Sequence, residues 1–359
     1  MRLPLLSDGR MIDEGAAQAM VDRAIEGGVN YFDTAYAYHH KESEPFLGRA
    51  LKKHNREKVF IATKMPPWFV NSAADVHRIF DEQLAKLQTD YFDYYLVHSY
   101  DAENAQKGEK IGIYDILKKK QREGKIRHLG FSTHDSLEGL SEVARMREWD
   151  FAQIQLNYMD WTLLHSKEQY EILRGLSIPI IVMEPVRGGT LATLNDAALT
   201  VLLELGEGAS PASFALRYAA SLPGVFTVLS GMSDMRQLED NIKTMSAFSP
   251  ITEREKDVLY KTAEAYMASG AIPCTGCGYC MDCPSGVDIP RVISLYNEYC
   301  KNGNKMAFGA NYISIGEDSL AHKCTACGQC EGLCPQGIPI SEHMAKIAAF
   351  AKEQGYVYD

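Results

Sequence analysis

Seven short, β-rich apolar runs recur along the first two thirds of the chain: VNYFDTA, KVFIATK, YFDYYLVH, KIRHLGFST, FAQIQLN, IPIIVMEP and VFTVLSG. Each is followed by polar and apolar positions at the spacing of an amphipathic helix. A further helical stretch, from about Asp13 to Glu26, precedes the first run, and Gly27-Gly28 supplies its stop. Nearly continuous apolar strands separated by helices imply an α/β protein whose parallel sheet is covered on both faces. About 250 residues of this pattern predict a TIM-type (β/α)8 barrel. Its first strand has only Met1 to Leu6 to draw on, and Pro4 breaks that run, so it is truncated or the chain begins upstream of Met1. A doubly wound sheet is the alternative, but the GxGxxG turn that would announce a dinucleotide fold is missing from the sequence.

Of the 359 residues, 46% are hydrophobic and 23% charged, the balance of an ordinary globular chain. Net charge is -10, from 37 basic and 47 acidic residues, and no block of like charge exceeds Lys118-Lys119-Lys120. An electrostatic footprint for nucleic acid is therefore not expected. No window is long and apolar enough to span a membrane, and MRLPLLSDGR lacks the apolar core of a signal peptide, so a cytoplasmic location is predicted. All nine cysteines lie between Cys274 and Cys300 or between Cys324 and Cys334. In a reducing compartment they read as ligands rather than disulfides. They divide the chain into a barrel, residues 1–271, and a cysteine region, residues 272–359.

Barrel chemistry sits at the C-terminal ends of the strands. The first visible strand ends in Asp33 and leads into a loop bearing Tyr38; the second ends in Lys64 and the third in His98. Neighbouring strands lie about 4.8 Å apart, so these groups can share one pocket. Tyrosine is the acid candidate. Its ordinary pKa near 10 is too high for ready donation, and an ammonium such as Lys64 is expected to lower it. Asp33 would keep Lys64 charged and aimed, and a neutral His98 would orient a substrate oxygen. Taken singly, each residue also has a plain reading as a solvated strand end, a helix cap, a loop aromatic or a satisfied polar group.

The segments DTAYAY, FIATK and DYFDYYLVH closely resemble the aldo-keto reductase superfamily. The resemblance implies a catalytic tetrad at Asp33, Tyr38, Lys64 and His98. The five-residue interval selects Tyr38 over Tyr36, which is left as a packing residue. It also implies a nicotinamide site without a Gly-rich turn. Ser132 and Thr133, the latter where Asn is frequent, would bind the carboxamide together with Gln153. Met183, Glu184, Pro185, Val186 and Gly188 match the loop around the nicotinamide and pyrophosphate. In SGMSDMRQLEDN, Gly231, Ser233, Gln237 and Asn241 match the adenosine-phosphate pocket, with Asp240 facing the adenine or ribose. Arg236 could accept a 2′-phosphate, so NADP is favoured over NAD. The alternative for this stretch is a plain helix start capped by Ser233. Relatives begin with a β-hairpin and a complete first strand, and many have Gly where this chain has His39-His40, which is expected to line the loop.

CTGCGYCMDCP contributes Cys274, Cys277, Cys280 and Cys283; CTACGQCEGLCP contributes Cys324, Cys327, Cys330 and Cys334. The second matches the bacterial ferredoxin signature C-x2-C-x2-C-x3-C-P, and the first is one residue shorter before its last cysteine. This resembles dicluster ferredoxin modules, in which the fourth cysteine serves the other cluster. The resemblance implies one 4Fe-4S cluster on Cys274, Cys277, Cys280 and Cys334 and another on Cys324, Cys327, Cys330 and Cys283. Two four-thiolate zinc sites are the competing reading. Cys300 is left over, on an insert whose first half, IPRVISLYNEYCKNG, reads as a helix and suggests an α-helical ferredoxin arrangement.

The whole chain thus resembles aldo-keto reductases with a ferredoxin-type domain. This implies hydride transfer between NAD(P)H and a small carbonyl or alcohol, with a redox partner protein as a candidate for electron exchange. The rival is a non-catalytic electron-transfer or redox-sensing subunit using the barrel as scaffold. Trp68 and Phe69, in the loop PPWFV, are expected wall residues for the substrate.

Overall fold

The computed structural model describes residues 2–7, 9–206 and 208–356. All seven apolar runs are strands: β1 (Tyr31–Asp33), β2 (Phe60–Met65), β3 (Phe92–Val97), β4 (Ile126–Thr133), β5 (Phe151–Gln155), β6 (Ile180–Met183) and β7 (Val225–Val228). They form one parallel sheet whose spatial order follows the sequence from β1 to β7. A doubly wound sheet reverses its order at a switch point, and this one never does, so the path is that of an incomplete (β/α)8 barrel.

Seven strands are present among the described residues, with β1 and β7 at the two edges of the sheet. Among the described residues, the N-terminal run contributes no barrel strand. Its Leu5 instead bridges Ile12 in antiparallel fashion, while the Asp13 amide donates to the Pro4 carbonyl at 2.9 Å. Proline supplies no amide for a parallel ladder, and the local fold-back gives the Pro4 carbonyl and the Leu6 amide each a partner. Edge position also explains β7, where Phe226 is 45% exposed, whereas every residue of β5 is buried.

Local sequence accounts for the helices. The opening helix, Glu14–Glu26, starts where the Asp13 carboxylate accepts from the Ala16 amide, and Gly27 ends it. The helix Ala73–Leu87 after β2 begins with a reciprocal Ser72–Asp75 capping box and buries Val76, Ile79, Phe80 and Leu87. Phe80 meets the rings of Phe92 and Tyr95, on β3, at centroid distances of 5.4 and 5.2 Å.

The chain packs as two compact units, and their border differs from the cysteine-based one at 271/272. The first unit gathers residues up to Pro185 with Ala215–Ile251; the second gathers Val186–Phe214 with the chain from Thr252 on. Residues of the long helix Glu253–Met267 belong to the second unit because it packs on the helix Asp196–Leu202. In the same contact zone the Asn195 side chain donates to the Tyr266 carbonyl. The second unit also holds the expected insert helix, Ile289–Asn302, with helices Lys305–Ile313 and Ile340–Glu353. Val292, Ile293, Phe308, Tyr312, Met344 and Ile347 form its core, and Cys300 packs half-buried against it. No helix among the described residues is long and apolar enough to cross a membrane.

Candidate functional site

Asp33 closes β1, Lys64 lies near the end of β2 and His98 follows β3 directly. Lys64 is fully buried. Its Nζ donates to both Asp33 oxygens, at 2.8 and 2.7 Å, and to the Thr34 carbonyl at 2.8 Å. Three acceptors thus meet the three protons of the ammonium. The Tyr38 ring lies over this charge, 5.1 Å from centroid to Nζ, and meets the His98 imidazole edge-on at 5.8 Å. Trp68 flanks His98 at 5.1 Å, and Phe69 packs against Tyr36 at 5.9 Å. Tyr36 itself is buried and donates to Glu82 at 2.8 Å, so it is a packing residue turned to another partner.

Electrostatics here correct one expectation. The Tyr38 hydroxyl is pushed far above the ordinary phenol value, first by burial and then by the negative charges of Asp33 and Glu184, with Arg2 opposing. The ammonium of Lys64 was expected to lower it. Its protons are committed to Asp33 and Thr34, so it acts on the ring face rather than through a hydrogen bond to the hydroxyl. His98 moves the other way. Burial, followed by the Lys64 charge, holds its imidazole well below the ordinary histidine value, so it is neutral at pH 7. Its Nδ1 is buried with no hydrogen-bond partner.

A second layer, not foreseen from sequence, holds the Lys64 backbone. Gln83 donates to the Lys64 carbonyl at 3.0 Å and to Glu44 at 2.6 Å, and Glu44 also accepts from Thr63 at 2.6 Å. Burial pushes the Glu44 carboxyl up despite these donors. The only sequence signal for this network was an acidic and an amide residue on the inward faces of helices. Breaking the Lys64–Asp33 pair leaves a shielded carboxylate without its cation, so Lys64→Met should cost about 3–5 kcal/mol of stability in urea denaturation. A loss below about 1 kcal/mol, the value of an exposed pair, would show that Asp33 does not depend on it.

The candidate cofactor positions are distributed unevenly. Ser132 is buried at the end of β4 and accepts from the Ser99 amide at 3.1 Å, which leaves its hydroxyl proton for a ligand. Thr133 is turned to its own chain, accepting from the Asp135 amide. Gln153 is buried on β5 with its Oε1 unpartnered, an acceptor suited to a carboxamide N–H. Met183 ends β6, and Gln153 approaches its sulfur at 3.5 Å. Glu184 has φ +55° and pairs with Arg2 at 3.3 Å; its carbonyl accepts from Asn157. Pro185 is buried, while Val186 and Gly188 belong to the second compact unit.

In the other stretch, Gly231 packs against the Arg2 side chain, and Ser233 donates from its hydroxyl to the Arg2 carbonyl. Gln237 accepts from the Ser233 amide, Asn241 donates to Ser230, and the Asp240 carbonyl accepts from Thr244. The cap of the helix Met235–Ser246 is Asp234, whose carboxylate accepts from the Gln237 amide, rather than Ser233. Aspartate has the same reach as serine and the added attraction of charge to a helix N-terminus. His39 and His40 both adopt left-handed backbone angles, and His39 Nε2 accepts from the Leu3 amide.

The eight motif cysteines line two cavities of the second unit. Cys274, Cys277, Cys280 and Cys334 face one; Cys283, Cys324, Cys327 and Cys330 face the other, which Cys280 also borders. Each cavity draws a cysteine from the other motif. Among the described residues, no three His, Cys, Asp or Glu side chains are grouped as a site for one metal ion.

The family model "Aldo/keto reductase family" matches residues 5–259. The chain belongs to that family. A "4Fe-4S dicluster domain" model matches residues 273–338, the segment that carries the cysteine cavities. Over 273 residues the chain is 26% identical to the uncharacterized oxidoreductase YqkF of Bacillus subtilis, covering 68% of this chain and 86% of that one. It is 28% identical over 267 residues to L-galactose dehydrogenase of Arabidopsis thaliana, covering 68% and 82%. Among solved structures it resembles the holo form of aldo-keto reductase AKR11C1 from Bacillus halodurans, with TM-score 0.61, 25% identity, and 74% and 92% covered. Family and relatives together make this an NAD(P)H-dependent oxidoreductase with an iron-sulfur domain.

Proposed function

We propose that this protein interconverts a small carbonyl compound and its alcohol, with Tyr38 moving the proton at the oxygen, and that its second unit holds two 4Fe-4S clusters that exchange electrons with a redox partner protein. The observation that carries the catalytic half is the Lys64 ammonium, locked by Asp33 and Thr34 beneath the Tyr38 ring, with a buried His98 whose Nδ1 has no hydrogen-bond partner edge-on to that ring.

When bound, NAD(P)H, NADPH by preference, would supply hydride to the carbonyl carbon, and the oxidised form, NAD(P)+, would take it from the alcohol carbon. The residues manage the oxygen. Because burial and neighbouring carboxylates hold its pKa high, the Tyr38 phenol is fully protonated at neutral pH and available to donate. As negative charge grows on the substrate oxygen the proton leaves Tyr38, and Arg2 is the charge that favours the phenolate against Asp33 and Glu184. Asp33 keeps the Lys64 ammonium fixed. His98, neutral and edge-on to Tyr38, is placed to orient the same oxygen with a ring nitrogen. Ser132 and Gln153 provide a donor and an acceptor for the nicotinamide carboxamide, with Thr133 beside them, and Met183 to Pro185 flank it. Gly231, Ser233, Gln237, Asp240 and Asn241 are the candidate positions for the adenosine end. Trp68 beside His98 suits an apolar wall.

For the iron-sulfur half, the support is the two cysteine-lined cavities, each completed by the fourth cysteine of the other motif. Thiolates in fours suit cubane clusters, which carry electrons singly. Hydride transfer itself needs no metal, so the two chemistries are linked only if the nicotinamide can reduce the clusters. Anaerobic titration of the holoprotein with NADPH, followed by bleaching of the iron-sulfur absorbance, tests this. Stoichiometric bleaching is expected; full retention of the oxidised spectrum, with dithionite still able to reduce the clusters, would separate the two halves.

A further inference from the structure

Arg187 is among the largest fully buried side chains of the described residues, and its setting points at one cysteine cavity. Its Nη2 donates to the Gln336 side-chain oxygen at 3.0 Å. Gln336 is itself buried, lies two residues beyond Cys334 and lines the cavity of Cys274, Cys277, Cys280 and Cys334. On the other side, Gly188 backs onto the carbonyl of Thr275, between the first two cysteines, so closely that a Cβ at 188 would collide with it. Arg187, Gly188 and Gly189 have φ of +50°, +64° and +101°. A left-handed arginine is held there only where the surroundings over-determine it. The loop after β6 therefore clamps a cation, through Gln336, against the lining of this cavity.

The second cavity has the opposite surroundings. Among the described residues lining it, the one formally charged side chain is Asp282. Guanidinium stays charged at any working pH. A one-electron reduction adds one negative charge to a cluster, so a fixed nearby cation favours the reduced form and raises the potential, while carboxylates lower it. Burial alone would penalise the added charge at the first cavity; the clamped cation offsets that penalty.

We propose that Arg187 sets the potential of the cluster held by Cys274, Cys277, Cys280 and Cys334 above that of its neighbour, so that a single electron entering this unit rests there. This rests on the two-cluster reading above. Its role is positioning and electrostatic, and the residue touches no reacting atom.

The test is an anaerobic EPR redox titration of the loaded holoprotein, with dithionite as electron donor, in wild type, Arg187→Met, Arg187→Lys and Gln336→Glu. Cys327→Ala, by altering the second cluster's signal, assigns the two spectra. In Arg187→Met the first cluster's reduced-to-oxidised ratio at fixed poise should fall at least tenfold, about 59 mV for a one-electron couple, with the second cluster moving much less. Arg187→Lys should restore most of the difference. Gln336→Glu keeps the guanidinium in place but sets a carboxylate against it, and should lower the same potential even if Arg187→Met fails to load iron. Unchanged potentials, equal shifts in both clusters, or a lysine variant as low as the methionine one would overturn the proposal while leaving the clusters intact. A wild type without two 4Fe-4S signals would overturn the two-cluster reading and this inference with it.

Discussion

Tyr38→Phe lowers kcat by about 10²–10⁴-fold, the usual contribution of a positioned acid or base, and leaves nicotinamide binding and iron content unchanged. The substitution deletes one oxygen and keeps the ring over Lys64 and against His98. What is lost is the proton at the substrate oxygen, so the deficit should appear in kcat rather than in KM. Tyr36→Phe is the control. That hydroxyl serves Glu82, and its loss should cost about 0.5–1.5 kcal/mol of stability with no change in turnover. Normal turnover in Tyr38→Phe would reject the assignment of the acid.

Cys334→Ala, although it lies in the second motif, alters the cluster of the first. Anaerobically purified protein should contain about eight irons, as two four-iron clusters require. Cys274→Ala combined with Cys277→Ala should leave about four. The EPR signal lost in that double variant should be the one that Cys334→Ala perturbs, and Cys283→Ala should perturb the other. The reason is the lining of the two cavities, where Cys334 joins the first three cysteines and Cys283 joins Cys324, Cys327 and Cys330. If each fourth cysteine instead affected its own motif's cluster, the ligation would be uncrossed. Two zinc ions in place of iron would defeat the cluster reading outright.

The strands were legible because a parallel strand buried on both faces must be apolar throughout, and turns or helices must punctuate it. Asp33, Tyr38, Lys64 and His98 were legible as strand-end polar groups at family spacing, and the cysteines as spaced thiolates. Partners were not. Nothing local to Tyr38 says that Lys64 will spend its protons on Asp33 and Thr34, so the direction of the phenol's shift was misjudged. The cap at Asp234 was misjudged by one residue because serine and aspartate side chains reach a helix N-terminus equally well. The loop Met183 to Gly188 was read as a nicotinamide and pyrophosphate loop in which Arg187 had no assigned role; a charged residue inside a turn normally faces water, and only folding buries Arg187 against Gln336.

What the amino-acid sequence by itself determined is the order and type of elements, the identity of the groups at strand ends and the number of thiols per motif, because periodicity and spacing are properties of a chain in one dimension. What only the tertiary structure decided is which groups meet. It left the N-terminal run outside the sheet, packed Val186–Phe214 with the cysteine region, raised the Tyr38 phenol and placed a cation beside one cavity. Each of these depends on burial and on neighbours far apart in sequence, and the energy of a charge is set by its surroundings in space.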